Sequence, residues 1–283
     1  MSTPLPVVFA RLVDDAAVYP PGSVPLHEAV KDHRRHRSAW YADLVGPLLV
    51  PASATRQLAE LVGGTDGFAI GLVADTGIAG LRAALDAAPS AVAQVEIAVA
   101  KRGEDPQPGV AALLDLLRPS DGLRAYAEVP LTFGLLSALD ALGDARREGL
   151  PVAAKFRTGG LAAELFPTPI ELAAVICACR DRELPFKLTA GLHHAIRHTD
   201  PETGFIHHGF LNVLVATVQA AIQGAEAADV AATLAGTDPV PLIEASRGLL
   251  DEGRPLWAGF GSCSVTEPVE DLSRLGLLPG LAS

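Results

Sequence analysis

Two of the four lysines in this chain lie on short apolar segments, each followed by a turn that contains Thr and Gly. Lys155 belongs to PVAAKFRTGG (151–160) and Lys187 to PFKLTAGLHH (185–194), with a helical pattern over 169–182 between them. A strand, a helix and a strand at this spacing predict one βαβ unit with parallel neighbouring strands. We therefore expect the two lysines to lie side by side at the carboxyl ends of adjacent strands.

Such a pair can make an amine nucleophilic. Burial and a second nearby cation both lower the pKa of a lysine, and a neutral amine can attack a carbonyl carbon to form a Schiff base. Under this hypothesis Lys155 is the nucleophile, Lys187 assists it, and Glu96 or Glu128 relays protons. The alternative is structural: the same lysines form ion pairs with Glu96 and Glu128 that tie strands together.

The rest of the chain alternates between β and helical patterns and predicts eight strand–helix units. The predicted strands end near 17–19 for the first and then cover 44–50, 68–73, 92–99, 125–130, 152–157, 185–189 and 256–260. A chain of 283 residues with 49% hydrophobic residues suits this number of units. We predict an α/β protein with one (β/α)₈ TIM-type barrel as a single domain over 1–283. A doubly wound sheet is less consistent with the sequence, because no G-x-G-x-x-G follows a predicted strand.

Small and polar residues after three of the predicted strands indicate an anion site. The FGSCS turn (260–264) offers backbone amides and two hydroxyl groups before a short helix, a setting that often binds phosphate in barrels. Arg157 could clamp an anionic group with its planar guanidinium. The remaining expected contacts are Thr158, Gly159, Gly191, Gly261, Ser262 and Ser264. The alternative is an ordinary strand-to-helix turn with a serine N-cap.

Five of the eight histidines fall within 193–208, in a predicted long loop over 191–209. We expect His193 and His194 to contact substrate or transfer protons, since histidine titrates near neutral pH. A competing hypothesis is a metal-dependent lyase or hydrolase in which this loop and Glu128 bind a divalent ion. The absence of H-x-H and H-E-x-x-H patterns favours substrate contacts, and we predict no metal site.

Four short segments together resemble deoxyribose-phosphate aldolase, a class I aldolase built on a (β/α)₈ barrel. They are VEIAV (95–99), AKFRTGG (154–160), FKLTAG (186–191) and FGSCS (260–264). The resemblance implies that Lys155 forms the Schiff base, that Lys187 assists proton transfer and that Glu96 is the carboxylate relay. It also implies that Gly261, Ser262 and Ser264 hold a phosphate group.

The chain departs from that family in three places. Arg157 replaces a small residue, the second lysine segment reads TAGLHH rather than ending in Gly-Gly, and the relay carboxylate is a glutamate. Over most of its length, including a Tyr-Pro-Pro start, the sequence also resembles a bacterial (β/α)₈-barrel family of unassigned function, which implies the fold and no activity.

Composition limits the partners. The net charge of −11 argues against non-specific binding to nucleic acid or to an anionic membrane surface. No apolar run reaches the length of a membrane span, and the first 15 residues lack the pattern of a signal peptide. An odd count of three cysteines is typical of the reducing cytoplasm. The oligomeric state stays open, a homo-oligomer included.

These observations predict a cytoplasmic, class I aldolase-like lyase that needs no cofactor. Its substrate is expected to be a small carbonyl compound carrying a phosphate or carboxylate. A metal-dependent enzyme and a non-catalytic barrel with structural lysine ion pairs are the two alternatives.

Overall fold

The prediction of a (β/α)₈ barrel is confirmed. The computed structural model describes residues 5–62, 69–88, 91–120 and 122–278; Met1–Pro4 and Phe68, where the third strand was predicted to begin, lie outside them. Eight parallel strands close in the order β1-β10-β7-β6-β5-β4-β3-β2. Their bounds are β1 Val13–Asp15, β2 Val45–Pro51, β3 Ile70–Val73, β4 Val92–Ala98, β5 Arg124–Glu128, β6 Val152–Arg157, β7 Phe186–Thr189 and β10 Trp257–Ser262.

Helices connect successive strands and cover the barrel, as the alternating pattern predicts. They are α1 Leu26–Arg37, α2 Thr55–Leu61, α3 Gly77–Asp86, α4 Gln107–Leu117, α5 Leu135–Arg147, α6 Pro169–Arg180, α7 Phe210–Gln223, α8 Ala227–Ala235, α9 Pro239–Arg247 and α10 Thr266–Arg274. Three helices, α7, α8 and α9, separate β7 from β10. Among the described residues, no helix has the length and apolar character needed to cross a membrane.

Two further differences concern the carboxyl ends of strands. The first strand ends at Asp15, before the predicted position. The Ala16 amide still donates a hydrogen bond to the Ser262 carbonyl oxygen, and the chain turns beyond Ala16. The predicted loop over 191–209 contains an antiparallel hairpin, in which β8 (His198–Thr199) pairs with β9 (Ile206–His207).

Side-chain alternation along the strands explains which groups enter the barrel. Phe156 follows Lys155 and Phe186 precedes Lys187, so each ring lies on the opposite face of its strand from the lysine. The two rings are buried, with their centroids 6.3 Å apart.

Between the two strands, α6 begins with a capping box: the Thr168 hydroxyl accepts from the Glu171 amide, and the Glu171 carboxylate accepts from the Thr168 amide. The capping box thus marks locally where the helix of this βαβ unit begins.

Candidate active site

The two lysines are neighbours in register. Strand β6 pairs with β7 in parallel, with Lys155 opposite Lys187, and Glu128 on β5 lies opposite Lys155. Both lysines are almost fully buried, with 3% of Lys155 and 1% of Lys187 exposed. Both side chains point into the barrel, where Lys187 contacts carboxylates of β1 and β4 and Lys155 contacts carboxylates of β4 and β5.

Neither amine is free of carboxylates. The Lys187 Nζ donates hydrogen bonds to Asp14 Oδ2 and Glu96 Oε1. The Lys155 Nζ lies 2.8 Å from Glu96 Oε2 and 2.8 Å from Glu128 Oε2. Glu96 therefore bridges the two lysines, one oxygen to each, and this is the contact pattern of the ion-pair alternative.

The pairs join into one continuous set of alternating charges. Glu128 also accepts a hydrogen bond from Arg157, with Nε 3.1 Å from Oε1. We call the set the ionic chain; its members are Asp14, Lys187, Glu96, Lys155, Glu128 and Arg157. It begins deep inside the barrel and ends at Arg157, whose side chain is 43% exposed.

The geometry within the ionic chain differs between the two lysines. Both contacts of Lys187 have hydrogen-bond geometry. The contacts of Lys155 with Glu96 Oε2 and Glu128 Oε2 have the distance of an ion pair.

These contacts reverse the expected direction of the lysine pKa shifts. Burial lowers the pKa of Lys155, but the Glu128 and Glu96 carboxylates outweigh it and raise that pKa above its ordinary value. The pKa of Lys187 is likewise raised, since Asp14 and Glu96 outweigh burial. Glu96 and Glu128 are the partners expected in the ion-pair alternative, and Asp14 is an additional carboxylate that the sequence did not predict. Both amines are therefore ammonium groups when the site is empty.

The carboxyl groups respond in two ways. Burial raises the pKa of Glu96, but Lys155 and Lys187 outweigh it and lower the pKa to about 2. The pKa of Glu128 is lowered by Lys155 and Arg157 against the effect of burial. Asp14 differs: burial outweighs Lys187, and its pKa is raised. Asp14 is thus the carboxyl group of the ionic chain best able to hold a proton.

Three residues of this cluster are absent from the predicted site. Asp14 was noted only as a strand-end carboxylate. Gln94 donates from Nε2 to Asp14 Oδ2 at 2.7 Å and to Glu96 Oε1 at 3.1 Å, and the Tyr126 ring centroid lies 5.0 Å from Lys187 Nζ. The available signal was the alternation along β4, which places Gln94 on the same face as Glu96.

A pocket of about 320 Å³ lies beside the exposed end of the ionic chain, at the carboxyl ends of β4, β5 and β6. Glu128 and Arg157 line it together with Lys101 and Arg102. Lys155 does not line the pocket, so Glu128 separates the pocket from the amine. Arg157 is the only member of the predicted anion-binding set among the lining residues of this pocket.

Thr158, Gly159 and Gly191 are engaged in packing the loops after β6 and β7. The Thr158 hydroxyl donates to the Ala190 carbonyl oxygen at 2.6 Å. A Cβ atom on Gly159 would lie 2.8 Å from the Gly191 Cα, so two backbones meet where a side chain cannot fit. Close packing of these two loops thus explains why small residues occupy the turns. The binding of an anion there stays a prediction.

The turn after β10 is also partly bonded within the fold. The Ser264 amide donates to Ser262 Oγ at 3.3 Å, and Ser264 Oγ accepts from the Glu267 amide at 3.2 Å. Ser264 thus serves the start of α10 as the serine cap of the alternative interpretation, and Gly261 lies in the strand itself.

The histidines form two kinds of contact. His193 Nδ1 lies 2.8 Å from Glu267 Oε2, and His194 Nδ1 lies 3.2 Å from Asp271 Oδ2. His207 donates from Nδ1 to the Gly191 carbonyl oxygen at 3.1 Å, which holds the hairpin against the β7 turn. Across the described ranges, no group of three or more His, Cys, Asp or Glu side chains has the arrangement of a metal site.

The ionic chain can therefore exchange protons between lysines and carboxylates inside the barrel, next to a pocket of small-molecule size. No family model and no curated protein matches the chain, so its function has to be argued from this geometry.

Proposed function

We propose that the protein is a class I aldolase-like enzyme in which Lys155 forms a Schiff base with a small anionic carbonyl substrate. One observation carries the proposal. The buried Lys155 amine lies between two carboxylates, and one of them, Glu128, is also a wall of the pocket and a partner of Arg157. A group bound at Arg157 can therefore change the protonation of Lys155 through Glu128.

Schiff-base formation needs a neutral amine, and substrate binding can supply it. In the empty site, Arg157 and Lys155 lower the pKa of Glu128. An anionic group that takes up the charge of Arg157 weakens one of these two effects, so the pKa of Glu128 rises. Glu128 can then accept the proton of Lys155, whose Nζ is 2.8 Å away.

Schiff-base formation and carbon–carbon bond cleavage then follow. The neutral Lys155 amine adds to the substrate carbonyl carbon, and the carbinolamine loses its hydroxyl group as water after Glu128 returns the proton. When the bond between the α and β carbons breaks, the iminium takes up its electron pair and becomes an enamine, and Glu128, again a carboxylate, takes the proton of the β-hydroxyl group as the aldehyde leaves. Glu128 then protonates the enamine carbon, and water hydrolyses the iminium to release the second product and the Lys155 amine. Lys187 and Asp14 can exchange protons behind Glu96, which keeps its charge because of its low pKa.

Cationic groups in the pocket support an anionic substrate. Lys101, Arg102 and Arg157 line it, together with the carboxylates of Glu128, Glu164 and Glu171. Two of these carboxylates already have partners, because Glu128 pairs with Lys155 and Arg157 and Glu171 accepts from Thr168. Arg157 donates a hydrogen bond from Nε to Glu128, and its terminal nitrogens have no hydrogen-bond partner among the described residues. A volume of about 320 Å³ suits a small phosphorylated or carboxylated carbonyl compound.

Reductive trapping tests the proposal. The protein is incubated with glyceraldehyde 3-phosphate or with glyceraldehyde, then reduced with borohydride, digested and analysed by mass spectrometry. We expect the reduced adduct on the peptide containing Lys155 and faster trapping with the phosphorylated aldehyde. Lys31 serves as the internal control, since it lies exposed on α1, outside the pocket.

Two variants sharpen the result. Lys155→Ala should remove the adduct, and Arg157→Ala should remove the advantage of the phosphorylated aldehyde while leaving trapping of glyceraldehyde. Adducts spread over several lysines, or retained in Lys155→Ala, would contradict the proposal.

A non-catalytic barrel is the second candidate, favoured by the raised pKa values of both lysines within the ionic chain. In that case the ion pairs would serve stability alone. Lys155→Met would then lower the free energy of unfolding, and the wild-type protein would give no adduct at Lys155 with either aldehyde.

A further inference from the structure

A second group of reactive side chains lies beyond the carboxyl end of β10. Cys263 is the first residue after this strand, and its Sγ lies 3.9 Å from His193 Nε2. The other ring nitrogen, His193 Nδ1, lies 2.8 Å from Glu267 Oε2 in the first turn of α10. A thiol, an imidazole and a carboxylate are thus arranged in sequence, with the imidazole between the other two.

This order is what nucleophilic catalysis by cysteine requires. The base lies within reach of the nucleophile, and a third group orients the base. The Cys263 contact is long for a sulfur hydrogen bond, and contacts of this kind tighten when substrate binds. Neither His193 nor Cys263 belongs to the ionic chain, so the inference does not rest on the proposed Schiff base.

The three cysteines of the chain have very different surroundings. Cys177 and Cys179 are buried in α6, and burial raises the pKa of both thiols. Cys263 is half-buried in a turn, where a reagent can reach it. A reactive cysteine needs this combination of access and a nearby cation.

The electrostatics of His193 agree with this role. Burial lowers the pKa of His193, but its contacts with Cys263 and Glu267 outweigh burial and raise the pKa to about 10. The other titratable groups nearby are His194, which pairs with Asp271, and His207, which is held by a backbone carbonyl. His193 is thus cationic at neutral pH, and its Nε2 can donate to the Cys263 sulfur.

We propose that Cys263, His193 and Glu267 form a thiol nucleophile site that accepts the acyl group of a small ester or thioester. The Cys263 thiolate adds to the carbonyl carbon, and the leaving alcohol or thiol takes a proton from His193. Water then attacks the acyl-cysteine, His193 takes its proton, and the thiolate leaves as the acid is released.

Backbone donors are available for the oxyanion of both steps. The amides of Cys263 and Val265 have no hydrogen-bond acceptor among the described residues. They lie at the start of α10, whose amino-terminal end favours negative charge.

Alkylation of the full-length protein tests the nucleophile. Iodoacetamide is applied from pH 5.5 to 9.5, and the modification of each cysteine peptide is followed by mass spectrometry. In the wild type we expect Cys263 to react rapidly at pH 6.5, with Cys177 and Cys179 unmodified. His193→Asn should slow the alkylation of Cys263 about tenfold at pH 6.5, because the sulfur loses the imidazole that acts as its base.

Glu267→Gln provides a second variant at a more exposed position, and we expect a smaller decrease in the rate of Cys263 alkylation. Cys177→Ser is the matched control and should leave that rate unchanged. Two results together would overturn the assignment of Cys263 as the nucleophile: an alkylation rate in the wild type that rises only near pH 8.5, and the same rate in His193→Asn and Glu267→Gln.

The acyl substrate is tested with p-nitrophenyl acetate. We expect a burst of one p-nitrophenolate per chain and one acetyl group on the Cys263 peptide, both absent in Cys263→Ser. Alkylation that depends on His193 without acetylation of Cys263 would overturn the acyl-transfer proposal.

Discussion

Glu96→Gln removes the charge that joins the two lysines, and its cost can be worked from the structure. Glu96 is fully buried, and Lys155 and Lys187 lower its pKa from 4.5 to about 2. A lowered carboxyl pKa stabilises the folded state above the ordinary pKa, and this contribution is lost as the pH falls towards the folded-state value. At about 1.4 kcal/mol per pKa unit, the shift corresponds to roughly 3 kcal/mol at pH 7.

We therefore expect Glu96→Gln to lower the free energy of unfolding by roughly 3 kcal/mol at pH 7, and the melting temperature by roughly 6–12 °C. The difference from wild type should shrink by more than half by pH 3, because the wild type alone loses the Glu96 contribution between pH 4.5 and 2.

Calorimetry and urea unfolding at several pH values measure both effects. Glu60→Gln, at an exposed position of α2, is the matched control and should change stability by less than about 0.5 kcal/mol. A Glu96→Gln protein as stable as wild type at pH 7, or a difference that stays constant with pH, would refute the assignment of a charged Glu96 stabilised by two lysines.

Three further predictions concern other parts of the barrel. Lys187→Leu should weaken borohydride trapping at Lys155 near pH 7 and restore part of it at higher pH, because loss of one cation raises the pKa of Lys155; equal trapping at both pH values would contradict this. Gly159→Ala should lower the free energy of unfolding by about 1–3 kcal/mol in urea, since its Cβ would lie 2.8 Å from a backbone atom, whereas Gly253→Ala, with open space around it, should have little effect. Arg254→Ala should cost about 3 kcal/mol in the same assay, because Arg254 donates to five backbone carbonyl oxygens; a smaller loss than in Gly253→Ala would be inconsistent with that role.

The fold and the lysine pair could be predicted because both follow from local patterns. Strand–helix alternation gives the barrel, and the PVAAKFR and PFKLT segments give the adjacent strands with Lys155 opposite Lys187. The capping box at the start of α6 and the apolar residues around each lysine are local signals for this unit.

The environment of the lysines depends on contacts that a linear pattern does not contain. Asp14 lies 173 positions before Lys187, and only barrel closure between β1 and β10 brings it to the amine. The direction of the pKa shifts depends on that closure, so it could not be read from the βαβ unit. The contact between Cys263 and His193 likewise joins two loops that are 70 positions apart in the chain.

Barrel closure around the ionic chain also has an evolutionary consequence. Replacing Lys187 alone leaves Asp14 without its cation in the interior, while Glu96 keeps Lys155. Apolar replacement of Lys187 together with Asp14 removes a whole ion pair and can be nearly neutral. Substitutions at this site should therefore occur in pairs, with positions 14 and 187 changing together. Among descendants of a common ancestor, positions 14 and 187 should covary, while an exposed pair such as Arg118 and Asp115 should drift independently.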